Sequence, residues 1–234
     1  MYFSDEYNVL FIAAPKTGST SVEELLGRKM PDGARFKIAL GPKDITSKDV
    51  KSPSLGHAKA SEFRAILGES KYSELWVFGF VRDPIEKVVS SYFFTKSGSI
   101  RGAFSLRSES GRHLKVAKRI FSILLARTLP LSVWSLLYPM RTCHDYFCDD
   151  NGEIIVDALG ATKRLGADLA EILSDCGIQL APEEVPHVNR SSYRDPKVYL
   201  LFRFCIPILL RRYRSDVDLY KRVEYGVWRN PQRR

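Results

Sequence analysis

The sequence is poor in the residues that would mark a secreted, metal-loaded or membrane-spanning chain. Four cysteines in 234 residues are too sparse for a disulfide framework at this length. Cys143 and Cys148 leave a pairing open, but there is no CxxC and no Cys/His metal spacing. Reduced, partly buried thiols are therefore expected. No paired-carboxylate metal motif stands out either, and no metal is expected. The N-terminus, MYFSDE, lacks a basic segment followed by an apolar one. That argues against a signal peptide and makes a cytoplasmic setting the expectation. Long unbroken apolar runs are missing too. Ile120 to Tyr138 approaches spanning length but carries Arg127 and Pro130 in its middle. Val198 to Leu210 is shorter than the ~20 residues a bilayer span needs. Buried helices are the simpler reading of both. The other is a membrane-leaning face or a pocket for an amphipathic acceptor, because Lys115, Lys118, Arg119, Arg211 and Arg212 flank them.

What is present describes an ordinary globular protein with a basic bias. A hydrophobic fraction of 44% and a charged fraction of 27% fit one α/β domain over residues 1–234, with a sizeable core. A formal charge of +9 favours anionic partners. Nucleic acid, anionic lipid, acidic glycans and a nucleotide cofactor all qualify.

Short apolar runs alternate with helical patterns. Asn8 to Ala14 reads as a strand, followed by a Pro/Gly/Ser loop and a helix over Ser21 to Leu26. Gly27 to Ser54 is polar and irregular, and Ala60 to Leu67 is helical. Leu75 to Val81 is a second strand of the kind buried on both faces of a parallel sheet. It leads through Arg82-Asp83-Pro84 into a helix over Ile85 to Phe94. Ser97 to Arg112 reads as a loop, and Leu114 to Leu137 as helices broken at Pro130. Glu153 to Val156 is a possible strand, and Ala167 to Cys176 a helix ended by Gly177. Pro196 to Val223 is mostly helical with an interruption at Pro207. The expected fold is a doubly wound, P-loop-like parallel sheet flanked by helices, with a helical C-terminal part.

Two segments carry chemistry. Pro15-Lys16-Thr17-Gly18-Ser19-Thr20-Ser21 lies between the first strand and its helix. Such a loop aims amide groups and a helix N-terminus at one spot, which suits an anion. Lys16 adds a mobile cation, and Ser19, Thr20 and Ser21 add hydroxyl donors. In a Walker A loop, GxxxxGKS or GxxxxGKT, the lysine follows the last glycine. Here it precedes the glycine, which disfavours an ordinary P-loop nucleotidase. The bland alternative is an N-cap cluster with a solvated lysine. The second segment, Arg82 to Tyr92, places an arginine at the end of a buried strand, where open α/β sheets bind ligands. Ser90 follows two helical turns later, and guanidinium and hydroxyl together suit a phosphate. A local Arg82–Asp83 or Arg82–Glu86 pair is the competing reading.

Together these segments resemble the nucleotide-binding elements of the cytosolic and Golgi sulfotransferases. PKTGSTS is similar to the family's 5′-phosphosulfate loop, and RDPxxxxxSSY to its 3′-phosphate element. Leu55 to Arg64, with His57, resembles the histidine segment of the carbohydrate sulfotransferases of the heparan 2-O type. Asp157 to Gly177, Pro186 to Ser191 and Tyr213 to Tyr220 resemble later parts of that branch. About Ser97 to Pro139 matches nothing nameable, and acceptor specificity is expected there. The resemblance implies 3′-phosphoadenosine 5′-phosphosulfate as donor, with the 3′,5′-bisphosphate as product. It implies His57 as general base, with His187 as competitor and His113 and His144 behind. It implies Lys16 on the leaving phosphate oxygen, Pro15 to Ser21 around the phosphosulfate, and Arg82 with Ser90 on the 3′-phosphate. Asn189, Arg190 and Ser191 are weaker cofactor contacts. Histidine titrates in the right range for such a base. Sulfuryl carries less negative charge than phosphoryl, so lysine, histidine and amide dipoles suffice without magnesium. The segment reads Arg-Asp-Pro where many relatives have Arg-Asn-Pro, a mild departure.

The acceptor expected is a carbohydrate or glycolipid hydroxyl, with peripheral membrane contact open and nucleic acid disfavoured. Two rivals stand beside this reading. A P-loop kinase or nucleotidase needs Mg²⁺ and an acidic residue ending a strand. A basic non-enzymatic module for nucleic acid or glycan needs aromatics within basic stripes. Arg101, Arg107, Arg112, Lys115, Lys118 and Arg119 offer such a stripe, though a solvated basic face explains them equally.

Overall fold

Val9–Ile12 and Trp76–Val81 are the continuous apolar runs of the sequence, and all four residues of the first and five of six in the second are buried. In the computed structural model, which describes residues 1–30, 34–35, 58–99, 113–186 and 200–233, they are neighbouring parallel strands. In chain order the strands are β1 (Tyr2–Ser4), β2 (Val9–Ile12), β3 (Ala34–Arg35), β4 (Trp76–Val81), β5 (Ala158–Ala161) and β6 (Trp228–Arg229). They form one sheet ordered β3-β1-β2-β4-β5-β6. The β2–β4 and β4–β5 pairs are parallel, whereas β1–β2, β1–β3 and β5–β6 are antiparallel. The sheet is thus mixed rather than wholly parallel. Its three central strands follow the expected pattern, and short antiparallel strands extend both sides.

The helices are α1 (Ser19–Lys29), α2 (Ala60–Leu67), α3 (Glu69–Glu74), α4 (Pro84–Lys96), α5 (His113–Thr128), α6 (Leu131–Leu137), α7 (His144–Phe147), α8 (Leu165–Ser174), α9 (Ile206–Arg212) and α10 (Arg214–Val223). One sequence expectation about the elements is corrected. Glu153 to Val156 is not a strand. Ile154 forms only an isolated bridge with Cys148, and the amide of Ile155 donates to the carbonyl of Phe147. The strand begins two residues later, at Ala158. The helical tail is interrupted at Pro207 as expected: a 3₁₀ turn, Arg203–Cys205, precedes α9, and Pro207 sits in the first turn of α9, where its missing N–H costs nothing. Gly177, with φ 74°, ends α8 as expected, and the amide of Ile178 reaches back to Leu173.

The chain divides into two compact units. The first comprises Met1–Asp83, Arg141–Arg190 and Ser215–Arg234, and the second Pro84–Met140 and Ser191–Arg214. The first holds the sheet and a core built on Phe11, Phe78 and Phe80, whose ring centroids lie 5.3–6.3 Å apart. Gly79 is required there, because a Cβ on it would stand 2.2 Å from the buried ring of Phe147. Two buried carboxylates tie the strands to the C-terminal segment. Asp157 accepts the Val77 amide at 2.7 Å and pairs with Arg233 at 3.0 Å. Asp168 accepts the Ala161 amide at 2.7 Å and both arms of Arg164, which also donates to the carbonyls of Val223 and Glu224.

The second unit is helical. Its core joins Val88, Val89 and Tyr92 of α4 to Trp134, Phe202, Leu209 and Tyr213. Trp134 stacks on Tyr138 at 4.8 Å and meets Tyr92 edge-on at 5.4 Å. Arg212 donates to the carbonyls of Ser135 and Leu136 at the end of α6, and Arg127 to those of Lys96 and Gly98 beyond α4. Cations at helix C-termini satisfy carbonyls that the helix leaves open. All four cysteines are free thiols. Among the described residues no helix is long and apolar enough to cross a membrane, and no cluster of metal-ligating side chains occurs.

Candidate active site

The C-terminal ends of the three parallel strands meet in one place, and each is followed by a residue that sequence reasoning or geometry singles out. After β2 the chain runs through Ala13 and Ala14 into Pro15, Lys16, Thr17 and Gly18. The turn demands two left-handed residues, Lys16 at φ 69° and Gly18 at φ 79°. Gly18 is the N-cap of α1, and a Cβ there would stand 3.1 Å from Leu165. Its carbonyl accepts the amides of Ser21 and Val22, so helix α1 starts against the loop. No acidic side chain occupies the first turn of α1, which leaves the positive end of the helix dipole facing the loop without local compensation.

The side chains divide by direction. The Thr17 hydroxyl donates back to the Ala14 carbonyl at 2.8 Å and is fully buried, so it braces the loop. Ser21 is buried, Ser19 half-buried and Thr20 exposed. Lys16 is half-buried beside Arg82, the residue that follows β4. The Arg82 guanidinium donates to the Lys16 carbonyl at 3.2 Å. Burial first, and then the positive charge of Arg82, lower the Lys16 pKa to about 8. Two cations held together in a half-buried turn favour an anion between them, and this chemistry fits a phosphate-bearing ligand.

Thr162, directly after β5, completes the arrangement, and sequence reasoning missed it. Its hydroxyl faces the carbonyl of Thr17 at 3.3 Å and that of Val81 at 3.1 Å, bridging the loop after β2 to the end of β4. The available signal was position, since Thr162 ends the third parallel strand as Lys16 and Arg82 follow the other two. Ser90 is buried on α4 within the second unit. His57, His187, Asn189, Arg190 and Ser191 lie outside the described residues. His144 begins α7, its amide donating to Asp216 at 3.0 Å and its ring beside Gly152. A cavity of about 220 Å³ opens at the other end of the sheet, lined by Asn8, Trp76 and Asp157 at the N-terminal ends of the same strands. Open α/β sheets place ligands at the opposite edge.

The model of the Sulfotransferase family matches residues 1–221, nearly the whole chain and both of its units. The chain belongs to the sulfotransferase family. No curated protein gives a significant match, and no solved structure does. As a sulfotransferase the protein is an enzyme of sulfuryl transfer.

Proposed function

We propose that this sulfotransferase uses 3′-phosphoadenosine 5′-phosphosulfate as donor and sulfates a hydroxyl of a carbohydrate or glycolipid. The observation that carries the reading is the Arg82–Lys16 contact, which joins the two motifs that resemble the family's donor elements. The parallel order of β2, β4 and β5 supports a P-loop-like, doubly wound sheet around the donor. The family match across both units supports treating residues 1–234 as one sulfotransferase domain.

When bound, the donor supplies an activated sulfuryl group and a phosphate leaving group. The chain's residues do the rest. The loop amides and the hydroxyls of Ser19, Thr20 and Ser21 hold the 5′-phosphosulfate, with Pro15, Thr17 and Gly18 shaping the turn. Arg82 and Ser90 hold the 3′-phosphate, with Asn189, Arg190 and Ser191 as further contacts. Lys16 would stabilise the negative charge that a phosphate leaving group gains in sulfuryl transfer. His57 accepts the acceptor's proton as the new O–S bond forms. Burial first and then the charge of Arg82 lower the Lys16 pKa to about 8, and an anion bound beside both cations favours the charged form of Lys16. No metal is required in this scheme.

Calorimetric titration with adenosine 3′,5′-bisphosphate in the absence of magnesium tests the reading without knowledge of the acceptor. Micromolar binding, tighter than ATP and abolished in Arg82→Ala, is the expected result. Binding that weakens as pH rises through about 8 identifies Lys16 as a charged contact. His57→Ala leaves this binding intact and lowers sulfuryl transfer by about 10²-fold or more; equal activity in that variant moves the base to His187. Failure to bind the bisphosphate, or a preference for magnesium-ATP, replaces this proposal with a kinase or nucleotidase.

A further inference from the structure

The second unit has a surface unlike that of a water-facing helical domain. Among the described residues eleven large hydrophobic side chains are exposed, and ten of them belong to this unit. The stretch 200–212 shows why they are exposed. Phe202, Cys205 and Leu209 recur at helical spacing and are buried in the unit's core. Leu201, Phe204 and Ile208 recur at the same spacing one position earlier, across the 3₁₀ turn Arg203–Cys205 and into α9, and are 62%, 66% and 53% exposed. A helix apolar on more than its core-facing stripe normally has something covering the rest. In α5, Phe121 and Leu124 are likewise exposed while Ile123 and Ala126 are buried.

Charge selects the occupant. The second unit contains fifteen lysines and arginines against three acidic residues, a net charge of +12. The first contains twenty-one against twenty-four, a net charge of −3. The cations bracket the exposed apolar side chains. Exposed Lys118 and Arg119 precede Phe121, the Arg203 guanidinium lies 5.0 Å from the Phe204 ring centroid, and exposed Arg211 follows Ile208. Pairing these faces between two copies of the chain sets like charge against like. Nucleic acid would take the cations but offers little to the leucines. A bilayer surface satisfies both, because acyl chains receive the apolar side chains while anionic headgroups receive the cations.

We infer that the second unit docks peripherally on membranes containing anionic lipid, through Phe121 and the Leu201, Phe204 and Ile208 stripe with their neighbouring cations. This goes beyond the donor chemistry and does not rest on it. The test is vesicle flotation of the full chain, with phosphatidylcholine alone and with phosphatidylcholine plus phosphatidylglycerol. Floating with the anionic vesicles at low salt, and much less with the neutral ones, is expected. Leu201→Ser with Phe204→Ser, and separately Lys118→Glu with Arg119→Glu, each weaken that binding by about tenfold or more. The unfolding midpoint reports that each variant remains folded, and the charge pair tests the inference even where the apolar pair does not fold. Wild-type protein that stays behind with anionic vesicles overturns the inference. So does binding that survives both paired substitutions. A concentration-dependent dimer that Phe204→Ser dissociates, without vesicle binding, reassigns the face to a second copy of the chain.

Discussion

In the first unit, buried charge is matched at short range, Asp157 by Arg233 and Asp168 by Arg164, and the apolar residues are enclosed around a sheet. In the second, arginines satisfy helix-end carbonyls, acidic residues are scarce, and leucine and phenylalanine reach solvent. The first unit holds the Lys16–Arg82 turn in fixed geometry, and the second presents a basic and apolar surface. Fold stability and surface chemistry have separated along one chain.

Three substitutions probe that separation. Trp134→Ala removes the largest ring of the second unit's core, together with an indole N–H that has no hydrogen-bond partner. It is expected to cost about 4 kcal/mol in denaturant unfolding. A cost below about 1 kcal/mol means that the second unit lacks a packed core of its own. Gly79→Ala forces a methyl against Phe147 within a central strand, and about 3 kcal/mol of destabilisation is expected. Tolerance of that change means that the first unit is looser than its packing implies. The smallest effect is that of Lys16→Met. Charged Lys16 costs the folded state most below pH 8, and the cost fades between about 8 and 10.5 as the side chain loses its proton in folded and then unfolded chains. The variant is therefore expected to raise Tm at neutral pH and to lose that advantage by about pH 10.5, measured by calorimetry across pH. A lowered Tm at pH 7 contradicts the crowding of Lys16 by Arg82.

Much of the first unit was legible in the sequence because its central strands are buried on both faces and read as unbroken apolar runs. The loop after β2 and the arginine after β4 were legible for the same reason, since each follows such a run. β5 was not. Its residues, Ala158-Leu159-Gly160-Ala161, have poor strand propensity, and their identity is set by packing from outside. A Cβ on Gly160 would stand 2.6 Å from the Phe80 ring and 3.0 Å from Asp168. The β-branched Ile154, Ile155 and Val156 nearby gave the stronger local signal and are not in the sheet. β1 and β6, of three and two residues, exist only through their partners. Thr162 escaped notice because its role depends on β5.

The left-handed backbone of Lys16 bears on how this protein would respond to engineering. Glycine or asparagine adopts that conformation with less strain, and neither brings a second positive charge next to Arg82. A screen that rewards heat resistance alone would therefore favour replacing Lys16 early. If Lys16 holds the donor as proposed, thermal tolerance and donor chemistry compete at this one position, and variants should be selected for both together.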